Sequence, residues 1–535
     1  MTNFSILEWV FGMIFEIKYS DLGGRIGKLR TPRGIVETPA FIPVVHPIKQ
    51  SIPPDFLKEL GFDAVITNAY IAFKQYGNMA IERGIHEIIG FDGTVMTDSG
   101  GYQVLEYGSI RMDPRTMAIF QIMIKSDICI PLDKPTGYGL DYDTASLYVD
   151  ETIGNVNETL QVVRDKSEFL AHNPIWVGPV QGAEHLNLVH KSAKIFDDMN
   201  FEMLALGSPV QVMESYEFGI LAKMIATLKN TIPTKPVHLF GAGHPLTIPL
   251  AVALGCDTFD SASYILYARD NRYMHTNGTS RLEDISYFSC QCPICLEYRP
   301  KELLTLDYVP RVNSLAKHNL FILRAEVLAV KQAIKDGRLW EYVMQKAHAH
   351  PKLMEATRLF VNFEFIDAGT PLFKRKAIFF NDPFDQYRPE AKRYRKIVSK
   401  FHSQKLNKLI VFPEGKISPF YTTKAFTILS QKYLDFLICT YNPFLGIIPA
   451  EISDIFPASH NLGVRTLANK VPEFPTFVEA FKNFLDSNKF EEIIIVANEF
   501  MIGVIELMNI GNAYPETRIK ILDYGPNSIN NIALY

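Results

Sequence analysis

Two Asp-Ser turns carry the residues best suited to chemistry, Thr97-Asp98-Ser99-Gly100-Gly101-Tyr102-Gln103 and Phe259-Asp260-Ser261-Ala262-Ser263-Tyr264. Each follows a short strand-like run, Val95-Met96 and Cys256 to Phe259, so each carboxylate falls where a strand ends and the chain turns. Two carboxylates so placed can divide a displacement between them, one acting as nucleophile and the other managing the proton. The pattern points to an enzyme.

A second chemical signal is Cys290-Gln-Cys292-Pro-Ile-Cys295, three thiols from one tight turn. In a long chain without secretory features, such a cluster reads as a metal site rather than a disulfide framework. Tetrahedral zinc needs a fourth ligand. His318, twenty-three residues after Cys295, is the best candidate, because His348 and His350 lie more than fifty residues past the cysteines. Three thiolates and one imidazole close the site to water, which implies a structural role. Cys129, Cys256 and Cys439 stand singly in apolar runs and read as inert core thiols.

The elements that must position these groups follow from eight short β-like runs: Ala40 to Val45, Asp63 to Thr67, Thr94 to Thr97, Asp127 to Leu132, Ile175 to Val180, Met203 to Leu206, Val237 to Phe240 and Asp257 to Phe259. They alternate with helical stretches such as Asp143 to His172 and Ser215 to Thr231, which argues for parallel βα units. Eight such units predict a (β/α)8 barrel, whose active sites lie at the C-terminal ends of the strands. Asp98, Asp133, Gln181, Gly207, Gly241 with Gly243, and Asp260 follow successive strands from the third to the eighth. One strand-end Asp caps a helix more often than it catalyses. Recurrence at one mouth is what points to function.

At 535 residues the chain predicts two to four domains, and 47% hydrophobic residues are ample to bury their cores. The net charge of -4 excludes a basic field over the whole protein, so any nucleic-acid site must be a local patch. The apolar stretch from Phe4 to Phe15 is too short for a membrane span and lacks a basic n-region, so the protein reads as cytoplasmic. Met13 looks like a natural start, which would make residues 1–12 an extension or a misassigned start.

Together the motifs resemble the tRNA-guanine transglycosylase family, most closely its archaeal branch. The resemblance rests on Asp21-Leu-Gly-Gly-Arg-Ile-Gly-Lys28, the Thr97 to Gln103 turn, Pro236-Val-His-Leu-Phe-Gly-Ala-Gly-His-Pro245, Ala253 to Tyr264, the cysteine cluster and Leu315-Ala-Lys-His-Asn-Leu320. It covers roughly the first 350 residues and implies a zinc-bearing (β/α)8 barrel that swaps a guanine in tRNA for a 7-deazaguanine without cutting the backbone. For the archaeal branch it implies guanine 15 of the D-loop, 7-cyano-7-deazaguanine as the incoming base, and archaeosine as the eventual product. Asp260 matches the family nucleophile, which attacks the ribose C1′. Asp98 matches a base-contacting acid/base, and from sequence alone either Asp could attack. Ser99, Asp133, Gln181, Gly207 and Ser208 match positions that bind the purine, and Tyr102 matches an aromatic that stacks on its face. Binding partners implied are tRNA, guanine and the deazaguanine, with a homodimeric assembly.

Patterning changes after His350-Pro351. The expected domains are a barrel over 1–350, a basic connecting domain over 351–405, and a small α/β domain over 406–535 that includes Asn442-Pro-Phe-Leu-Gly-Ile-Ile-Pro449. The stretch Tyr387 to Lys408 is basic with interleaved aromatics and suits either phosphate contacts or an amphipathic helix with Tyr394 and Phe401 inward. Many archaeal relatives end in an RNA-binding PUA module. None is apparent here, so a separately encoded PUA protein is an expected partner. The alternative to an enzyme is a non-catalytic tRNA-binding subunit, against which the presence of both Asp98 and Asp260 argues.

Overall fold

The structure, a computed structural model, describes residues 14–101, 113–166, 172–403, 406–415, 418–463 and 471–525. Tyr102 and the expected N-terminal extension lie outside the described residues.

Each apolar run expected as a barrel strand becomes one. After an antiparallel sheet of β1 (Phe15–Asp21), β2 (Gly24–Thr31) and β3 (Gly34–Glu37) come β4 (Ala40–Pro43), β5 (Ala64–Asn68), β6 (Thr94–Asp98) and β7 (Ile128–Cys129). Four more complete the set: β8 (Ile175–Val180), β9 (Met203–Leu206), β10 (Val237–Leu239) and β11 (Thr258–Ser261). They pair in parallel in the order β4-β11-β10-β9-β8-β7-β6-β5. The Val45 N–H donates to the Ile66 carbonyl at 2.8 Å and closes the ring. The result is a (β/α)8 barrel.

Inward-pointing residues at the strand starts, among them Ala64, Ile128, Ile175 and Met203, share one buried cluster with Phe15, Leu29 and Val36 of the antiparallel sheet. That sheet therefore plugs the N-terminal end of the barrel and leaves the opposite end for ligands. A buried ion pair reinforces the plug: the Arg25 guanidinium donates to both oxygens of Asp257, at 2.9 and 2.5 Å. Removing one partner would leave a buried charge unpaired, at a cost of about 3–5 kcal/mol.

After the cysteine cluster come the helices Tyr308–Asp336 and Leu339–Ala347. Gly337 separates them in the left-handed region at φ 69°, a conformation that ends helices and favours glycine. His318 lies well inside the Tyr308–Asp336 helix and is fully buried.

The chain divides into two compact units at Gly369/Thr370. The stretch 351–405 is shared between them rather than forming a body of its own. Helix Pro351–Arg358 packs on helices Phe218–Thr231 and Leu339–Ala347 of the first unit. In the second, strand Ile378–Phe380 pairs with Asn461–Gly463, and a five-stranded sheet has four parallel strands and the antiparallel edge strand Gly446–Pro449. Helix Pro389–Val398 belongs to this unit and its basic residues are largely structural. Arg388 is buried against Glu390, which also pairs with Lys374 at 2.5 Å, and these cations hold the Glu390 carboxyl far below the usual range despite its burial. Arg393 donates to the Pro371 and Thr370 carbonyls, and Arg395 to those of Gln386 and Phe444. Tyr394 is fully buried and Phe401 packs on the same core. Among the described residues no helix is long and apolar enough to cross a membrane.

Candidate active site

The C-terminal ends of the strands surround a cavity of about 690 Å³ lined by Asp98, Asp133, Gln181, Gly207, Ser208 and Asp260 among others. Strand register explains much of its interior. Asn68 and Asp98 are paired positions at the ends of β5 and β6. The Asn68 side chain accepts from the Ile71 N–H at 2.9 Å, capping a helix, and donates to Asp98 Oδ2 at 3.2 Å. His238 and Thr258 are likewise partners across β10 and β11, and their side chains meet at 2.9 Å.

His238 was not foreseen as a site residue. It is fully buried, and its Nε2 lies 3.1 Å from Asp260 Oδ1, which also accepts the Gly241 N–H at 3.0 Å. A proton on Nε2 donates to the carboxylate, the Thr258 hydroxyl partners Nδ1, and the two bonds together fix the orientation of the ring. Asp260 Oδ2 takes no hydrogen bond among the described residues. The signal that could have revealed His238 is its period-two alignment with a strand-end carboxylate on the neighbouring strand, inside the motif Pro236 to Pro245.

Burial pushes the Asp98 carboxyl up to about 7, and the charges of Asp133 and Asp260 add to the shift. Burial likewise raises Asp133 to about 6, opposed by a hydrogen bond from Gln181. Groups poised this close to neutrality can both give and take a proton. Gln181 is locked in one orientation: its amide nitrogen donates to Asp133 at 2.7 Å while its oxygen accepts from Ser208 at 2.9 Å and from Thr136. Ser208 holds this position from the left-handed region, at φ 59°. A Cβ on Gly207 would overlap the Gln181 amide, and one on Gly101 would overlap the Asp133 carboxylate, so both glycines allow close approach. Ser99 departs from expectation: its side chain is fully buried and donates to the Pro131 carbonyl at 3.1 Å, tying two strand-end loops together.

A second constellation stands beside the barrel. Cys290, Cys292, Cys295 and His318 bring their ligand atoms within 4.8 Å of one another and can hold a metal ion. His318 Nδ1 lies 3.3 Å from both Cys292 Sγ and Cys295 Sγ. These separations approach the roughly 3.5 Å edges of a tetrahedron around zinc. Its Nε2 faces the Met274 carbonyl at 2.8 Å, which keeps the proton there and leaves the Nδ1 lone pair for a metal. Tyr273 stacks on the imidazole at 3.8 Å, and Phe288 stacks on Tyr273.

Fold and site define a barrel enzyme with a carboxylate-lined mouth and a separate Cys3His cluster. A profile of the queuine tRNA-ribosyltransferase family matches residues 21–352, more than half of the chain. The tRNA-guanine(15) transglycosylase of Sulfolobus acidocaldarius is 37% identical over 495 residues, which cover 92% of this chain and 96% of that protein. Those of Saccharolobus solfataricus and Methanosarcina mazei are 41% and 39% identical, covering 83% and 87% of this chain and 90% and 89% of their own lengths. The chain belongs to the queuine tRNA-ribosyltransferase family and is an enzyme.

Proposed function

We propose that this enzyme exchanges guanine 15 of tRNA for 7-cyano-7-deazaguanine through a covalent bond between Asp260 and the ribose. The observation that carries the reading is the asymmetry of Asp260: Oδ1 is held by His238 and Gly241, while Oδ2 has no partner among the described residues in a cavity that Asp98 also lines. Oδ2 attacks C1′ as the C1′–N9 bond breaks, and the departing electron pair goes to the base. Asp98, held near neutrality, gives that base its proton and then takes the proton shed by the incoming base, whose N9 attacks C1′ and restores Asp260. His238 is a positioning residue: it turns the carboxylate, and Thr258 holds its ring. Asp133, Gln181, Gly207 and Ser208 line the same cavity and supply hydrogen-bonding groups for a purine edge. The identity of the relatives as tRNA-guanine(15) transglycosylases supports guanine 15, and the archaeal motifs support the cyano-deazaguanine.

Cys290, Cys292, Cys295 and His318 would hold zinc as a closed four-ligand site, a structural brace remote in role from the exchange. A non-catalytic subunit is the weaker reading, because an idle mouth has no reason to keep a buried acid near neutrality beside a half-free carboxylate. Incubation with whole tRNA and labelled guanine tests the proposal. Label entering intact tRNA is expected, with competition by 7-cyano-7-deazaguanine; no incorporation in the presence of bound tRNA would overturn it.

A further inference from the structure

The cavity does not end at the two carboxylates. It continues past the segments that follow β9 and β10, where Tyr216, Phe218 and His244 line it together with Tyr267 of the helix after β11 and His350. At about 690 Å³ it is sized for a ligand larger than one flat base.

Tyr216 and His350 stack with ring centres 4.9 Å apart and planes 17° from parallel. Phe218 meets both rings edge-on, at 6.0 and 6.2 Å. The His350 ring is itself fixed, because it accepts the Lys352 N–H at 3.2 Å and caps the helix Pro351–Arg358. Tyr216 reaches this stack from the left-handed region at φ 57°, a costly conformation for a bulky side chain, and its N–H is tied to the Met213 carbonyl. The residue nevertheless remains 55% exposed. His350 backs one face of the ring, and among the described residues no second ring stacks on the other, which leaves the exposed part of Tyr216 at the mouth of the site.

Among the described residues that line this part of the cavity, rings outnumber cations. Burial pulls His244 down to about 4, so it is neutral at physiological pH, and Arg272 is engaged by Asp270 at 2.9 Å. A base drawn out of an RNA strand into the site leaves its neighbour without a stacking partner, and an open aromatic face beside the cavity restores one.

We propose that Tyr216, backed by His350, is a stacking platform for the base of a nucleotide adjacent to the exchanged one in the RNA strand. The inference rests on the proposed exchange of a base within RNA. Stacking on a ring tolerates any base, so the platform contributes affinity without sequence choice.

The test compares tRNA affinity of the wild type with Tyr216→Ala and Tyr216→Phe, using tRNA that is intact or abasic at the nucleotide on either side of the target guanine. Tyr216→Ala should weaken binding of intact tRNA by about 5- to 150-fold, while Tyr216→Phe stays within about twofold. The slope of affinity against salt should not change, because no phosphate contact is lost. With one of the two abasic tRNAs, the wild type should fall to the affinity of Tyr216→Ala and the substitution should have no further effect. Additive losses with both abasic tRNAs would overturn the platform. So would a raised KM for the free base with unchanged tRNA affinity, which would move Tyr216 to the base pocket. Incorporation of labelled guanine by the wild type is scored separately: coupling without incorporation keeps the platform and removes the exchange reaction, and incorporation without coupling does the reverse.

Discussion

The barrel mouth and the Cys3His cluster are both polar constellations, yet they are built on opposite principles. At the cluster, groups face inward on one another and the imbalance of the histidine is removed by a backbone carbonyl and a stacked tyrosine. At the mouth three carboxylates share one cavity, the shift of Asp98 records its burial and the charges of Asp133 and Asp260, and Asp260 keeps an oxygen without a partner among the described residues. A site whose groups satisfy one another favours the fold. A site whose groups are held apart from their preferred states stores that cost for a ligand.

The sharpest way to break this contrast is Asp260→Asn. The amide oxygen can still accept from His238 and Gly241, so folding and tRNA binding should persist while exchange is lost altogether. Denaturing gels of enzyme with tRNA and labelled guanine check it, and a covalent adduct on the variant would transfer the attack to another residue.

Asp98→Asn should lower exchange by about 10²- to 10⁴-fold. Release of guanine by the wild type should decline as pH rises through about 7, where Asp98 loses its proton, and the variant should lose that inflection. The same substitution should stabilise the protein. A carboxyl raised in the folded state contributes stability at pH values below its ordinary range and loses it as pH rises through about 7. The variant should therefore melt above the wild type at pH 8, with the gap narrowing toward pH 4; a gap independent of pH would contradict the burial argument.

His238→Phe should reduce kcat by about 10- to 100-fold through loss of a hydrogen bond to a charged group, with KM for tRNA unchanged. His238→Gln, which can place a donor near the same oxygen, should recover most of it. Equal losses in both variants, or a change confined to KM, would argue that the histidine only fills space.

Chemistry should be least affected at the cluster. Cys292→Ser should reduce bound metal and lower the melting temperature by about 10 °C, since a closed metal site contributes to folding directly. The activity that survives should keep the wild-type pH profile. Unchanged melting after loss of metal would erase the distinction between the two sites.

Much of this arrangement was legible in the chain itself. Eight apolar runs define eight strands because alternating βα patterns are local, and the residues after those runs converge wherever the barrel closes. The three cysteines are close in sequence, so their proximity needed no knowledge of the fold. Tertiary structure decided what depends on neighbours distant along the chain. The bond from His238 to Asp260 follows from strand register, and the burial of Ser99 follows from the fit of two loops. The basic stretch around Arg388 suited either phosphate contacts or an amphipathic helix, and packing commits Arg388 to Glu390 and Arg393 and Arg395 to backbone carbonyls. Sequence determined which groups stand at the mouth. Only packing determined their protonation and their free lone pairs, because desolvation and the field of nearby charges exist only once separate strands are brought together.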